Sequence, residues 1–241
     1  MPGQTVLITG ANKGIGYETA RQLGQLGYRI WLGSRDVDRG ADAAAALKAE
    51  GHDVREIAID VTNDESVRAA AARVRQEDGF LDVLINNAGV LGDMTRAPSE
   101  YPISAIKDIY EVNVFGSIRV TQAFIPLLKA SKRANIVMVS SGLGSLGWLS
   151  NPTNTNYGFN LLGYNTSKNA LNGVMLVFSK ELAEAGIKVN AADPGYTKTD
   201  FNGHTGHRTV EQAAKGIVEL ATLDDGGPTG GYFHDGSPVP W

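Results

Sequence analysis

The chain has 241 residues and a net charge of −4, with 42% hydrophobic and 20% charged residues, an ordinary balance for a globular chain large enough to bury a core without staples. It contains no cysteine, which excludes disulfides, thiol catalysis and thiolate metal sites. There is no block of like charge to meet nucleic acid or an anionic membrane, no apolar run of membrane-spanning length and no charged-then-apolar leader, so the cytoplasm is the expected compartment.

In chain order, Thr5–Thr9 is a short β-rich run that enters Gly10-Ala11-Asn12-Lys13-Gly14-Ile15-Gly16. Thr19, Ala20, Leu23 and Leu26 then read as a helix ending at Gly27. Strand, glycine turn and helix in succession form the context a dinucleotide fingerprint requires. Glycines let the backbone approach a pyrophosphate, and the helix N-terminus offers free N–H groups. The spacing is Gly-x-x-x-Gly-x-Gly, and three glycines also suit any tight strand-to-helix turn.

Tyr28–Gly33 reads as the second strand, followed by Ser34-Arg35-Asp36. An acidic residue at the end of this strand would hold a ribose 2′-hydroxyl. Here Ser34 and Arg35 come first, and Arg35 with Lys13 supplies two cations for a 2′-phosphate, which favours NADP(H) over NAD(H). Lys13 is alternatively a solvated loop charge. Asp36 is expected to cap the helix that runs to Glu50. Val54–Ile59 is a third strand, ending in Asp60-Val61, and Thr62-x-x-Glu65 has the capping-box pattern for a helix to about Glu77. Leu81–Ile85, continuously apolar as buried parallel strands are, runs into Asn86-Asn87-Ala88-Gly89.

Residues 90–103 are loop-like, and Ser104–Ser131 carries one long helical pattern containing Asn113. Asn113 either faces solvent or, if buried, requires hydrogen-bond partners. Ala134–Val139 is a fifth strand ending in Ser140-Ser141-Gly142, and Leu143–Leu162 has no regular period. A helix from about Tyr164 to Ala185 follows, then a sixth strand, Gly186–Ala191, leading to Asp193-Pro194-Gly195. Residues 196–208 are a polar loop, Val210–Leu223 the last helix, and Gly230–Gly236 a short strand and turn. Strict alternation without linker or repeat predicts one α/β domain over residues 1–241, a doubly wound parallel sheet. Among four histidines, His204 and His207 are close but lack an acidic partner at ligand spacing, and no metal site is expected.

Tyr164 and Lys168 lie four apart on a helical pattern continued by Leu171, Met175, Phe178 and Leu182. Residues so spaced share a face, with Cβ atoms about 5–6 Å apart. A cation beside a phenol favours phenolate. The pair is therefore a candidate proton donor and acceptor for an alcohol/ketone couple, although such pairs also arise on solvated helix faces.

Taken together, Thr9-Gly10-x3-Gly14-x-Gly16, Asn86-Asn87-Ala88-Gly89, Asn113, Ser141, Tyr164-x3-Lys168 and Pro194-Gly195-x3-Thr199 resemble, in this order, a classical short-chain dehydrogenase/reductase over nearly the whole chain. The resemblance implies a single-domain Rossmann fold of seven parallel strands in the order 3-2-1-4-5-6-7. It implies that Tyr164 is general acid in reduction and general base in oxidation. Lys168 would lower its pKa and hold the nicotinamide ribose, Ser141 would bond the substrate oxygen, and Asn113 would anchor a water relaying protons to Lys168. Gly10, Gly14, Ile15 and Gly16 would surround the pyrophosphate, and Asn12, Lys13, Ser34 and Arg35 would also bind the cofactor, Lys13 and Arg35 at the 2′ position. Asp60 and Val61 would sit by the adenine, and Asn87, Ala88 and Gly89 on the adenosine ribose side. Pro194, Gly195, Thr197 and Thr199 would meet the carboxamide and phosphate side.

Two features depart from the family pattern. Ser140 and Ser141 compete for the cleft, because side chains alternate along a strand; the family pattern selects Ser141. The separation of Ser141 from Tyr164 is long, with extra residues at Trp148–Leu162. Such insertions occur in monomeric carbonyl reductases, which the chain also resembles at Pro194–Asp200. Dimer, tetramer and monomer therefore remain open, and Trp148, Tyr157 and Phe159 either wall a substrate pocket or pack the loop onto the core. The short loop 200–209 suggests an open pocket. The expected activity is NADPH-dependent reduction of a small ketone or aldehyde; the alternatives are an NAD(P)+-linked alcohol or polyol dehydrogenase and a non-catalytic redox sensor.

Overall fold

A computed structural model describes residues 3–241. Its strands are β1 (Thr5–Ile8), β2 (Arg29–Ser34), β3 (Val54–Ala58), β4 (Val83–Asn86), β5 (Asn135–Val139), β6 (Lys188–Ala192), β7 (Tyr232–His234) and β8 (Ser237–Pro238). They form one sheet in the order β3-β2-β1-β4-β5-β6-β7-β8. The first seven pair in parallel, and β8 returns antiparallel beside β7. The expected seven-strand order is present, and β8 is an addition at the edge. The helices are α1 (Gly14–Gln25), α2 (Val37–Ala49), α3 (Asp64–Glu77), α4 (Ile103–Tyr110), α5 (Ser117–Ala130), α6 (Leu146–Leu149), α7 (Leu162–Glu181) and α8 (Val210–Ala221).

The alternation of side chains along each strand builds two cores. Val6, Ile8, Ile30, Leu32, Val137 and Val139 point to one face and pack with Ala20 and Leu23 of α1, Leu47 of α2 and Ile217 of α8. Leu7, Trp31, Ile136 and Met138 point to the other and meet Val67 of α3, Phe124 of α5 and Met175 of α7. Both faces are covered, so the strands must be apolar throughout. Each fully buried Leu or Phe contributes roughly 1.5–3 kcal/mol.

Three local expectations are corrected. The single helix expected over Ser104–Ser131 is α4, a π-helical segment at Glu111–Gly116, and α5. The wider turn accommodates an extra residue, and Gly116 lets it approach α3's leading loop, since a Cβ there would lie 2.7 Å from Val61 Cγ2. The capping box at Thr62 does not form. Asn63 caps α3 by accepting from the Ser66 amide at 2.9 Å, while Thr62 donates to Asp60. The stretch expected to be irregular holds a 3₁₀ turn at Gly142–Gly144 and α6. Ser145 caps α6 by accepting from the Trp148 amide at 3.1 Å, and the Gly147 amide donates to the Trp241 carbonyl at 2.6 Å. That second partner is remote in sequence.

Candidate active site

In a parallel sheet every strand delivers its carboxyl end to the same edge, and ligands bind in the crevice there. That edge opens into one cleft of about 1270 Å³. Gly10, Asn12, Lys13, Gly14, Ile15, Gly16, Ser34, Arg35, Asp60, Val61, Asn87, Ala88, Gly89, Ser141, Tyr164, Lys168, Pro194, Gly195, Thr197 and Thr199 all line it. Asn113 is fully buried behind the wall.

At one end the glycine turn leads into α1. The N-cap position, Lys13, makes no side-chain cap, and the first turn carries no acidic residue. The amide donors at this helix start are therefore open to an anion. Gly10 adopts φ +63° and Gly16 has no room for a side chain: a Cβ would lie 2.4 Å from Asn87 Nδ2 and 2.8 Å from the Gly10 carbonyl. Asn87 stitches the turn to β4, donating from Nδ2 to the Thr9 carbonyl at 2.8 Å and the Gly10 carbonyl at 3.1 Å. Thr9 Oγ1 accepts from the Asn87 and Ala88 amides at 3.0 Å each. This cradle fits a pyrophosphate.

Beyond β2, Ser34 Oγ donates to the Asp36 carbonyl at 2.7 Å. Asp36 caps α2 as expected, accepting from the Arg39 amide at 3.1 Å, and its other oxygen pairs with Arg39 Nε at 3.3 Å. Arg35 is exposed at the cleft and, among the described residues, forms no ion pair. Lys13 is held by Asp200 at 3.0 Å. His204 also pairs with Asp200, four residues before it, at 2.8 Å, which corrects the expectation that it has no acidic partner nearby. Asp60 feels burial, which raises its pKa, but bonds from Thr62 and the charges of Arg35 and Arg119 prevail and hold it below the usual carboxylate value.

At the centre, α7 presents Tyr164 and Lys168 on one face, with Nζ 5.7 Å from the ring centroid. Lys168 Nζ donates to the Val139 carbonyl at 2.8 Å. Burial pushes its pKa down to about 8. The same burial raises the Tyr164 phenol above its ordinary value; a hydrogen bond with Ser141 opposes the rise and the Asp193 carboxylate adds to it. Desolvation is the largest influence on the phenol, and an ammonium at Lys168 beside the ring would favour the phenolate against it. The two serines separate cleanly. Ser141 faces Tyr164, whereas Ser140 Oγ turns inward and donates to Asn172 Oδ1 at 2.6 Å. Asn113 has partners for its whole amide: Oδ1 accepts from the Val90 amide at 2.8 Å, and Nδ2 donates to the Val90 carbonyl at 2.9 Å and Ser167 Oγ at 3.0 Å.

On the substrate side, Phe159 lines the cleft and its ring lies 6.0 Å from Tyr196, while Phe201 meets Tyr164 edge-on at 5.9 Å. Trp148 and Tyr157 do not line it; Trp148 packs on the core and against His234. Sequence reasoning missed Arg39, Asn172 and Phe201. A signal existed for two of them. Arg39 follows Arg35 by one helical turn, and Asn172 continues the spacing of Tyr164 and Lys168. Among the described residues no three His, Asp or Glu side chains converge on a common metal position, and no helix is long and apolar enough to cross a membrane.

A family model described as short chain dehydrogenase matches residues 4–209. The short-chain dehydrogenase anuI of Penicillium roqueforti is 38% identical over 223 residues, covering 90% of this chain and 88% of its own. The (+)-neomenthol dehydrogenase of Arabidopsis thaliana is 34% identical over 281 residues, covering 94% of both chains. Among solved structures, NADPH-bound carbonyl reductase from chicken fatty liver superposes with a TM-score of 0.88 at 27% identity, over the full length of both chains.

Proposed function

The chain belongs to the short-chain dehydrogenase family, an oxidoreductase family of the alcohol/carbonyl couple that uses a nicotinamide dinucleotide, and on that premise we propose that it is an NADPH-dependent reductase of ketones and aldehydes. The observation that carries this reading is the grouping of Tyr164, Ser141 and Lys168 in one cleft, with Lys168 Nζ 5.7 Å from the Tyr164 ring. A carbonyl held there meets a phenol that can give it a proton.

The glycine turn and the α1 N-terminus would hold the pyrophosphate, and Lys168 the nicotinamide ribose. Arg35 and Arg39, four residues apart and both at the cleft, offer planar guanidinium forks to a 2′-phosphate. Asp36 is spent on Arg39 and the α2 cap, so it does not compete for a ribose hydroxyl. The solved relative at 27% identity is NADPH-bound, which agrees with this preference.

The bound nicotinamide supplies hydride to the carbonyl carbon. The protein orients the carbonyl through the Ser141 hydroxyl, and the Tyr164 proton passes to the carbonyl oxygen, completing an alcohol. The resulting phenolate is stabilised by the Lys168 ammonium beside the ring, and a solvent proton restores it.

The test is NADPH oxidation followed at its absorbance band against ketones, aldehydes, quinones and imines, with NADH in parallel. Turnover on ketones or aldehydes, faster with NADPH, is expected. Binding of NADPH without turnover of any carbonyl class would contradict the reading and leave a dinucleotide-binding module.

A further inference from the structure

The reductase reading leaves one pair of groups beside Tyr164 unused. Asp193, at the end of β6, has a side chain only 5% exposed, yet it lines the cleft. Its Oδ1 accepts from the Gly195 amide at 2.9 Å, and its Oδ2 lies 3.0 Å from Nδ1 of His234, at the end of β7. A Cβ at Gly142 would sit 3.1 Å from the same carboxylate, so Asp193 abuts the segment that carries Ser141. Tyr232, two residues before His234 in β7, donates its hydroxyl to the Ser141 carbonyl. A buried carboxylate needs compensation, and its partner here is an imidazole.

We propose that His234 is a positioning residue for Tyr164: its imidazolium neutralises the Asp193 carboxylate, so that the phenol gives up its proton beside a compensated charge instead of a bare one. The inference rests on the reductase reading above. No proton leaves His234 for the substrate; it acts through the field at Tyr164, where phenolate develops. With His234 neutral, Asp193 opposes that developing charge and reduction slows. The other charged groups around His234 do not remove the effect. Asp235 Oδ2 lies 3.7 Å from Nε2, but Asp235 is bidentate to Arg208, whose two nitrogens meet it at 2.8 Å and 2.7 Å. Lys215 of α8 adds a further distant cation that acts on Asp235. Trp148, stacked edge-on at 6.3 Å, is uncharged. Bonding to Asp193 raises the His234 pKa despite burial, so the imidazolium persists upward from the ordinary histidine range.

The two partners make opposite predictions. Carbonyl reduction by the wild type, measured as kcat/KM with NADPH, falls as pH rises through the His234 titration. The expected fall is about threefold. His234→Gln loses the His234 step and runs at the slow, high-pH level, keeping only the Lys168 titration near pH 8 that all forms share. Asp193→Asn, which keeps an acceptor for the Gly195 amide, also loses that step but runs at the fast level, and the double variant follows Asp193→Asn. Titration of His234 by NMR reads the pair without turnover, and Asp193→Asn lowers its midpoint. A wild type that reduces carbonyls with a profile unmoved by either variant overturns the inference and leaves the reductase reading standing. A wild type that turns over no carbonyl while His234 still titrates with Asp193 removes the reductase reading and, with it, the inference built on it.

Discussion

Replacing Asn113 with alanine removes three hydrogen bonds at once, two of which serve the main chain of Val90. The Val90 amide and carbonyl lie part-buried against the π-helical segment, and among the described residues neither has another hydrogen-bond partner. Leaving a buried backbone group unpaired costs about 1–3 kcal/mol, so two such groups, with partial relaxation toward water, give a loss of about 3 kcal/mol. For a chain of this length each kcal/mol shifts the melting temperature by about 2–4 °C, and the expected drop is therefore roughly 6–12 °C. The damage extends to the cleft, because Gly89 precedes Val90 and a Cβ on it would lie 3.3 Å from Asn113 Oδ1 and 3.7 Å from Lys168 Nζ. NADPH affinity should fall with stability. Calorimetry and a fluorescence titration of NADPH read both effects. Asn113→Asp, which keeps the acceptor for the Val90 amide, should fall between. A melting temperature within about 2 °C of wild type would refute the reasoning and make Asn113 the solvent-facing residue that its mid-helix position also allows.

Three further outcomes follow from the same geometry. Gly16→Ala drives a Cβ into Asn87 and the Gly10 carbonyl. Overpacking there should cost about 1–3 kcal/mol of stability and at least about tenfold in NADPH affinity, measured by melting and titration; unchanged affinity would remove the pyrophosphate from this turn. Arg35→Asp should lower the NADPH-to-NADH ratio of kcat/KM by about tenfold or more, and an unchanged ratio would sink the phosphate reading. Lys168 has a folded pKa of about 8 against its ordinary 10.5. The unfolded chain therefore binds the extra proton between these values, and stability rises with pH across that window. Relative to Lys168→Met, the wild type should gain about 3 kcal/mol from pH 8 to 10.5; a constant difference in urea unfolding across that range would contradict the burial argument.

Much of the architecture was legible because it rests on local rules. Continuous apolar strands, glycine turns and helical spacing predict a doubly wound parallel sheet, and the family resemblance supplied its strand order. The features that escaped are those decided by remote partners. The π-helical segment depends on Val61 and Val90 meeting one helix, and no periodicity within Ser104–Ser131 records that. The cap of α3 moved by one residue because Asp60 claimed the Thr62 hydroxyl. β8 is two residues long and exists only through its pairing with β7. The choice of Ser141 over Ser140 was within reach of strand alternation, but the direction needed Asn172 to take the other hydroxyl. The helix spacing shows a cation near the Tyr164 ring, whereas the depth of burial that raises the phenol pKa comes from the whole fold. The Asp193–His234 pair joins the ends of two strands far apart in sequence, and nothing local marks it.

The most direct test of the central claim is the single-turnover rate of carbonyl reduction by NADPH in the wild type and in Tyr164→Phe, with NADPH affinity measured on both. Phenylalanine preserves the ring and its edge-on contact with Phe201 and removes only the hydroxyl that carries the proton. The account predicts a rate lower by about 10²–10⁴-fold with NADPH affinity essentially retained. A variant that reduces carbonyls at the wild-type rate would show that the proton comes from elsewhere and would contradict the account.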